Sequence, residues 1–405
     1  MKRYYLIDHK WLFLFGFILY LFVPYLVGIT DAFNGMPGMQ LYHDYFARIP
    51  AAKINTYLII IFSWLIAFYF GHFCFASVKP PKKQLHHFEE NYADYGLPAI
   101  GAVLFITMLL FSYLARNSLF AGYGISYDAG SRGKMSTLLV VFNFFLLYQL
   151  IGVKRTSFFI IAGTVITSLL LLSMGGRLYV FQTLIVILVY KTSFAKKRWK
   201  LIQIMSVGIF GFFLGSISGI WRLGANYSLE RGLYSFFAEP VFTWISASTF
   251  LSTNHIPFIN LPSNFLTSFL NLIPNTFVNL QPYMVSGQHM GYSYLTPLGA
   301  DSVWTTYIVN FGIVGSFFFI FLAGFILNLL RYHSENSRFG AVYYMLVCSI
   351  LPFQFFRDGF SILNKQLFFN FLILPAIILF ILKLVKYFNL LAQAGYNKKI
   401  AADII

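Results

Sequence analysis

The sequence predicts an all-α polytopic membrane protein, because apolar residues are abundant, charged residues are scarce and long apolar stretches recur. Hydrophobic residues occupy 58% of the 405 positions and charged residues 10%, with a mean hydropathy of +0.70. A soluble domain of this length does not normally have such a composition. A helix needs about 20 mostly apolar residues to cross the hydrocarbon, so we predict one transmembrane domain, residues 1–405, with about ten spans. The predicted spans cover residues 11–30, 56–78, 96–115, 135–153, 158–174, 178–193, 201–221, 303–328, 339–356 and 366–388.

Basic residues alternate between the loops that join these spans. Loops rich in Lys or Arg are predicted to face the cytoplasm, and an even number of spans then places both termini there. The first span has no small-residue cleavage pattern before Asp31, so we predict a retained helix and not a signal peptide. The basic cytoplasmic segments are residues 79–83, 154–155, 191–200, 331–338 and the tail 383–399.

The net charge of +16 comes mostly from this cytoplasmic bias. No basic run is interleaved with aromatic residues in a soluble module, which argues against a nucleic-acid partner. Cys74 and Cys348 both lie inside predicted spans, where packing is a better interpretation than a disulfide, and metal-ligand spacing is absent. We therefore predict neither a metal nor another cofactor.

The basic residues on the predicted outer side differ in type from those in the cytoplasmic loops. Of 29 Lys and Arg residues, 19 are on the cytoplasmic side and are mostly Lys, whereas the outer ones are mostly Arg. The positive-inside rule does not explain an Arg-rich minority. Since Arg stays charged and its planar fork holds two phosphate oxygens at once, this pattern predicts a phosphate-binding site at the outer face. The outer residues are Arg48, Lys53, Arg116, Arg132, Lys134, Arg177, Arg222, Arg231, Arg357 and Lys365.

A long outer loop, residues 222–302, joins the seventh and eighth predicted spans and is rich in Asn, Ser, Pro, Tyr and Trp. Loops of this length are usually functional. Within it, residues 233–251 are apolar on average but include Glu239 and Pro240, so we predict a helix that lies at the interface or dips in. The remainder is predicted to cap the outer mouth of the bundle. Its tyrosines suit either stacking on sugar rings or an aromatic belt at headgroup level.

Two outer arginines occupy tight turns. Arg177 follows Gly175 and Gly176 with almost no loop, where glycines permit close approach to a ligand; the alternative is a hairpin with a snorkelling Arg. Arg357 precedes Asp358 just after the ninth span. It suits an anion site or an internal ion pair.

Three further arginines are candidates for the same site. Arg222 closes the seventh span, and Arg231 follows Glu230 in the long loop, so both are predicted near the bilayer surface. Arg132 lies in the string Gly-Ser-Arg-Gly-Lys at residues 130–134, which resembles a phosphate-cradling loop. A short glycine-rich string is weak evidence by itself.

Catalysis at such a site would need a general base. His289, in a polar segment between two glycines, is one candidate, although a lone His is more often a hydrogen-bonding residue. Glu239 and Asp301 are predicted near membrane depth, where ionisable groups are costly and tend to be functional.

Three short motifs resemble those of bacterial oligosaccharide repeat-unit polymerases of the Wzy type. They are Ser-Met-Gly-Gly-Arg at 173–177, Leu-Thr-Pro-Leu-Gly at 295–299, and Tyr-Ile-Val-Asn-Phe-Gly-Ile-Val-Gly at 307–315. The resemblance in architecture spans the chain. It implies a GT-C-like membrane fold in the bacterial inner membrane and metal-independent transfer of glycan between undecaprenyl-pyrophosphate carriers at the periplasmic face.

The resemblance also implies outer-face arginines in the site, which Arg177, Arg222 and Arg231 match by position, and a possible chain-length regulator as partner. Two other interpretations stay open. One is an O-antigen ligase that transfers the same donor to lipid A core. The other is a flippase or transporter of lipid-linked sugars.

Overall fold

Helices are the regular structure throughout the part of the chain that the structure describes, and no strand occurs there. The computed structural model describes residues 7–76, 96–120, 129–152, 156–223, 228–273, 278–299, 301–334, 337–385 and 387. The all-α class is thereby confirmed. The helices are α1 (His9–Thr30), α2 (Met39–Ala47), α3 (Ala51–Ala76), α4 (Leu97–Leu114), α5 (Ala129–Gly152), α6 (Phe158–Ser173), α7 (Arg177–Phe194), α8 (Leu201–Leu223), α9 (Leu229–Thr253), α10 (Ser263–Ser268), α11 (Val303–His333), α12 (Arg338–Ile350), α13 (Gln354–Arg357) and α14 (Phe360–Val385).

Eight of these helices are long and apolar enough to cross a membrane: α1, α3, α4, α5, α7, α8, α11 and α14. A multi-pass membrane protein is therefore confirmed. The other two predicted spans correspond to α6 and α12, which have 16 and 13 residues. These helices reach only about 24 and 20 Å, short of a hydrocarbon core of about 30 Å. The count of ten and the GT-C-like arrangement stay predictions.

The helices α3 and α11 pack closely and run parallel. Trp64 Nε1 donates to Ser316 Oγ at 3.1 Å, and one turn or more further along both helices Asn328 Nδ2 donates to the carbonyl of His72 at 2.8 Å. A Cβ added at Gly324 would lie 2.1 Å from the carbonyl oxygen of Phe68. Small residues at the interface therefore bring the two backbones together, as is usual between membrane helices.

The helix α9 lies across one end of the bundle. Near its start, Ser235 contacts Gly219 at the end of α8, and just past its end the Asn254 carbonyl accepts from Lys53 Nζ at the start of α3. Both contacts are at helix ends that the sequence predicts to face outward. Trp244, in the middle of α9, is 1% exposed, so α9 is packed into the bundle and does not merely rest on its surface.

This arrangement changes the picture of residues 222–302 as one long loop. The first part is the 25-residue helix α9, which confirms the helix predicted at 233–251. Arg222 belongs to the last turn of α8. The later part contains α10 and short 3-10 turns, and it is tied to α9 because Thr253 Oγ1 and Asn254 Nδ2 both donate to the Ser293 carbonyl.

The opposite end of the bundle collects the helix ends that the sequence predicts to be cytoplasmic. Arg331 pairs with Asp8 at 3.2 Å, and Arg338 donates to the Tyr148 carbonyl at 2.5 Å. Cys74 and Cys348 are free thiols, as their positions in helices predict. The basic stretch at residues 79–83 and both chain termini, 1–6 and 388–405, lie outside the described residues.

Candidate functional site

The site is built around the turn between α6 and α7. Gly175 ends α6 with a φ of +76°, a left-handed conformation in which glycine is favoured. The Gly176 amide donates to the Leu171 carbonyl at 2.6 Å, and α7 begins at the next residue. Arg177 is therefore the first residue of a helix, and its backbone is fixed by the turn before it.

The Arg177 side chain turns into the bundle. Its side chain is 12% exposed, and Nη1 donates to the carbonyls of Gly215 at 3.0 Å and Ser235 at 3.4 Å. A Cβ on Gly219 would lie 2.7 Å from Nη1 and 1.7 Å from Ser235 Oγ. Because the glycines of α8 have no side chains, Arg177 can pass α8 and reach α9. The snorkelling alternative therefore does not describe the Arg177 side chain.

Glu239 lies between two arginines. Its Oε2 is 3.9 Å from Arg177 Nη2, and its Oε1 is 3.0 Å from Arg357 Nε. Among the described residues, neither Oε1 nor Arg357 Nε has a partner in hydrogen-bond geometry, so this second contact is an ion pair without an aligned hydrogen bond. Ion pairs that are partly buried and imperfectly aligned recover only part of the cost of desolvation. Both arginines therefore retain capacity for a better-matched anion.

Asp358 extends the cluster, with Oδ1 3.8 Å from Arg357 Nη1. Burial raises the pKa of Asp358 to about 6, against the opposing effects of Arg357 and Arg132. Burial lowers the pKa of Arg357, but the carboxylates of Glu239 and Asp358 outweigh it and hold this pKa above its usual range. Two guanidinium groups and two carboxyl groups thus form one network, and Arg132 lies close enough to act on it.

A cavity opens at this network. Its empty space, counted together with open solvent at its mouth, is about 320 Å³. The Ile18–Phe22 stretch of α1 is π-helical, and such segments often occur at functional sites. The lining residues are Leu19, Tyr20, Arg177, Leu178, Phe181, Gly215, Phe236, Glu239, Pro240 and Phe353. Apolar walls around a few charged groups strengthen the electrostatic interactions within.

The structure brings together four of the predicted site residues: Arg177, Glu239, Arg357 and, by its effect on Asp358, Arg132. The sequence predicts a loop at residues 130–134, and this prediction was wrong, because these residues form the first turns of α5. The apolar helix that follows the string extends back through it to residue 129.

The other two arginines are not part of this cluster as far as the structure describes it. Arg231 is exposed in the first turn of α9, where its amide donates to the capping Ser228 Oγ. It precedes Glu239 by about 12 Å along the helix. The backbone of Arg222 belongs to α8, and its side chain lies outside the described residues.

Asp301 lies just before α11, and its Oδ1 is buried without a hydrogen-bond partner among the described residues. Burial raises the pKa of Asp301 to about 6. The next residue, Ser302, donates its amide to Ser246 Oγ at 2.8 Å. Ser246 is on the same face of α9 as Glu239 and about 10 Å further along. Asp301 is therefore a neighbour of the charged network along α9 and not a member of it.

His289 is exposed in a 3-10 turn. Its Nδ1 accepts from the Ser286 amide at 3.1 Å and lies 3.0 Å from Ser286 Oγ. Among the described residues, no contact joins His289 to another predicted site residue. The structure thus places it in the local hydrogen-bonding environment that was the alternative to catalysis.

Sequence reasoning did not single out the glycines of α8. Gly211, Gly215 and Gly219 recur at a spacing of four, which places them on one face of a helix and signals close helix packing. This signal was present in the sequence. It would have identified the face of α8 that the Arg177 side chain crosses.

No family model, curated protein or solved structure matches the chain. In the described part of the chain, no group of three or more His, Cys, Asp or Glu residues is placed to hold a metal ion. What the site can do must therefore be argued from its own geometry.

Proposed function

We propose that the protein transfers a glycan from a lipid-linked pyrophosphate to an acceptor sugar, and that it polymerises lipid-linked oligosaccharide repeat units in this way. One observation carries the proposal: Arg177 and Arg357 converge on the Glu239 carboxylate at a partly buried cavity. Two guanidinium groups around one anionic position suit the phosphate oxygens of such a donor.

In the proposed reaction the bond between the anomeric carbon and the pyrophosphate oxygen breaks, and its electron pair leaves with the pyrophosphate. The acceptor hydroxyl oxygen forms the new bond to the anomeric carbon, and its proton passes to a base. Charge therefore grows on the leaving pyrophosphate. Fixed arginines stabilise that charge, and loss of one such group typically slows a reaction by roughly 10² to 10³.

Glu239 would leave the arginines when phosphate arrives, because a diphosphate offers more oxygens to the same guanidinium groups. The released carboxylate is then available beside the reacting centre. Asp301 is the other candidate base, because the next residue, Ser302, contacts Ser246, about 10 Å along α9 from Glu239. A donor phosphate at the arginines and an acceptor hydroxyl near Asp301 would be compatible with this separation, and direct displacement predicts inversion at the anomeric carbon.

The cavity at the arginines is small. Its empty space is about 320 Å³ even when open solvent at its mouth is counted, so it does not hold a whole oligosaccharide, and the donor would place at most its phosphate end there. The glycan would then extend over the outer segment, residues 254–302, and the isoprenoid chain would lie in the bilayer. We accordingly propose an undecaprenyl-pyrophosphate-linked donor, a bacterial inner membrane with the site on the periplasmic side and both termini in the cytoplasm, and a chain-length regulator as a possible partner.

A transporter for the same lipid-linked sugars is the second candidate. Flippases place charged residues inside the bundle around a cavity, and Arg177 and Glu239 are positioned in this way. An O-antigen ligase would use the same donor site with a lipid A core acceptor. All three proteins would bind a lipid pyrophosphate, so the product of the reaction is what distinguishes them.

The test reconstitutes the purified protein in liposomes with a lipid-pyrophosphate-linked repeat unit and separates the products on a gel. A ladder of multiples with release of lipid pyrophosphate supports the polymerase. Glycosylation of added lipid A core supports the ligase, and movement of labelled lipid between leaflets without new glycosidic bonds supports the transporter. Arg116→Ala is the matched control for arginine variants, because Arg116 is exposed and donates to the Tyr113 carbonyl of the preceding helix.

A further inference from the structure

The helix α11 is broken at Gly312. This residue has a φ of +67° and a ψ of −169°, which is not helical. The carbonyl of Val309, just before the break, accepts from Asn260 Nδ2 at 2.5 Å. The amides of Ile313 and Val314, just after it, donate to the carbonyls of Pro257 and Phe258 at 3.0 and 3.1 Å. Backbone groups freed by the break are thus bound by an outer segment, residues 257–261.

Gly312 is required at this position for a second reason. A Cβ added there would lie 2.7 Å from the Phe258 carbonyl oxygen and 2.8 Å from the Ile259 backbone. Asn310 also binds the chain just after the segment at 257–261, because its Oδ1 accepts from the Phe265 amide at 2.8 Å. The Asn-Phe-Gly motif at 310–312 is therefore the place where the outer segment docks into the broken helix.

The parallel packing of α3 and α11 gives the depth of this segment. Because Trp64 contacts Ser316, Gly312 is level with Ile60 of α3. Ile60 is about 10 Å along the helix from Lys53. No Lys, Arg, Asp or Glu follows Lys53 in α3, so the hydrocarbon begins shortly after it. The segment at 257–261 would then lie near the outer boundary of the hydrocarbon.

The side chains of the segment have the character that this depth demands. Phe258, Ile259 and Leu261 are 68%, 69% and 75% exposed. At the same level, Ile59 of α3 and Val314 of α11 are 70% and 44% exposed. Exposed apolar residues on the segment are therefore continuous with the lipid-facing residues of two membrane helices.

Part of the backbone of the segment is also bound by protein. Irregular backbone at membrane depth needs partners for its polar groups. The carbonyls of Pro257 and Phe258 accept from α11, and the Leu261 amide donates to Asn260 Oδ1 at 3.0 Å. Pro257 and Pro262 bracket the segment and have no amide proton to satisfy.

We propose that residues 257–261 form a re-entrant segment that inserts into the outer leaflet, with Phe258, Ile259 and Leu261 in contact with lipid chains. The proposal does not depend on the proposed function. It assigns the outer segment a membrane anchor beside α11, so that residues 254–302 are held against the bilayer by lipid as well as by protein contacts.

The test uses electron paramagnetic resonance of spin labels on full-length protein in liposomes. Labels are attached at Leu261→Cys or Ile259→Cys in a Cys74→Ala background, since Cys348 is buried. Collisions with apolar oxygen and with a water-soluble nickel chelate are compared. Ile66→Cys, at a 67% exposed position on α3, is the lipid control. Gln288→Cys, at an exposed position in the outer segment, is the water control.

The expected result is a ratio of oxygen to nickel collisions at Leu261→Cys and Ile259→Cys that matches Ile66→Cys and exceeds Gln288→Cys several-fold. A ratio like that of Gln288→Cys would overturn the proposal, because the segment would lie in water. Low collision rates with both reagents would also overturn it, since a protein surface would then cover the segment. None of these variants places a residue in the core, so the outcome does not depend on a damaged fold.

Discussion

Arg357 and Glu239 form an ion pair, with Nε and Oε1 3.0 Å apart. The pair joins α13 to the middle of α9. Arg177, at the start of α7, reaches the same carboxylate from the other side. Three separate parts of the chain therefore meet at one anion, and a bound phosphate would replace that anion.

Arg177→Ala is expected to reduce the rate of polymer formation in reconstituted liposomes by roughly 10² to 10³, because one fixed donor to the leaving pyrophosphate is lost. Arg177→Lys should recover little of the rate, since an ammonium cannot match the planar fork. Ladder formation against time is the measurement, with Arg116→Ala as control. Wild-type rates in Arg177→Ala, at equal protein levels, would remove Arg177 from the site.

Glu239→Gln is expected to strengthen the binding of inorganic diphosphate, because the neutral amide no longer competes with the anion for Arg177 and Arg357. The measurement is the rise in melting temperature on addition of diphosphate in detergent, since a ligand that binds the folded state raises its stability. Glu230→Gln is the matched control, at an exposed position in the first turn of α9. An equal or smaller rise in Glu239→Gln than in wild type would contradict this role.

The sequence predicted the parts of the fold that depend on local composition. The apolar stretches gave the membrane helices to within a few residues, because crossing the hydrocarbon demands length and apolarity from each helix separately. The two glycines before Arg177 likewise predicted a tight turn. A left-handed φ at Gly175 is a local requirement, and local requirements are visible in sequence.

The composition of the site could not be predicted in the same way. Nothing near Glu239 in sequence indicates that Arg357 is its partner, since the two meet through tertiary packing of α9 against α13. At Arg132, in contrast, the local sequence led to a wrong prediction. A glycine-rich string suggested a loop, but the apolar helix that follows extends through it. Arg132 still lies near Asp358 because α5 begins at the same end of the bundle.

Asp301→Asn is expected to change the pH dependence of stability. The pKa of Asp301 is about 6 in the folded protein, against an ordinary value of 3.8. A raised pKa means that this group contributes stability at low pH, and that the contribution is lost as pH rises from the ordinary pKa through about 6. Between pH 7.5 and pH 5, wild type should therefore gain roughly 1.4 kcal/mol relative to Asp301→Asn, because about one pH unit of this range lies below the folded pKa. Melting temperatures across this range are the measurement, and parallel curves for the two proteins would argue against a buried, unpartnered carboxyl.

Gly312→Ala is expected to destabilise the protein, whereas Gly208→Ala is not. Alanine at a φ of +67° and a ψ of −169° costs about 1 to 3 kcal/mol, because this region is accessible essentially to glycine alone. Its Cβ would also lie 2.7 Å from the Phe258 carbonyl oxygen, which adds to that cost. Gly208 lies in α8 with no atom within 4 Å of an added Cβ, so alanine there should stabilise the helix by up to about 1 kcal/mol. Melting temperatures in detergent should therefore fall for Gly312→Ala and stay equal or rise for Gly208→Ala. An unchanged melting temperature in Gly312→Ala would mean that the segment at 257–261 does not dock against the break in α11, because a docked segment leaves no space for the added carbon.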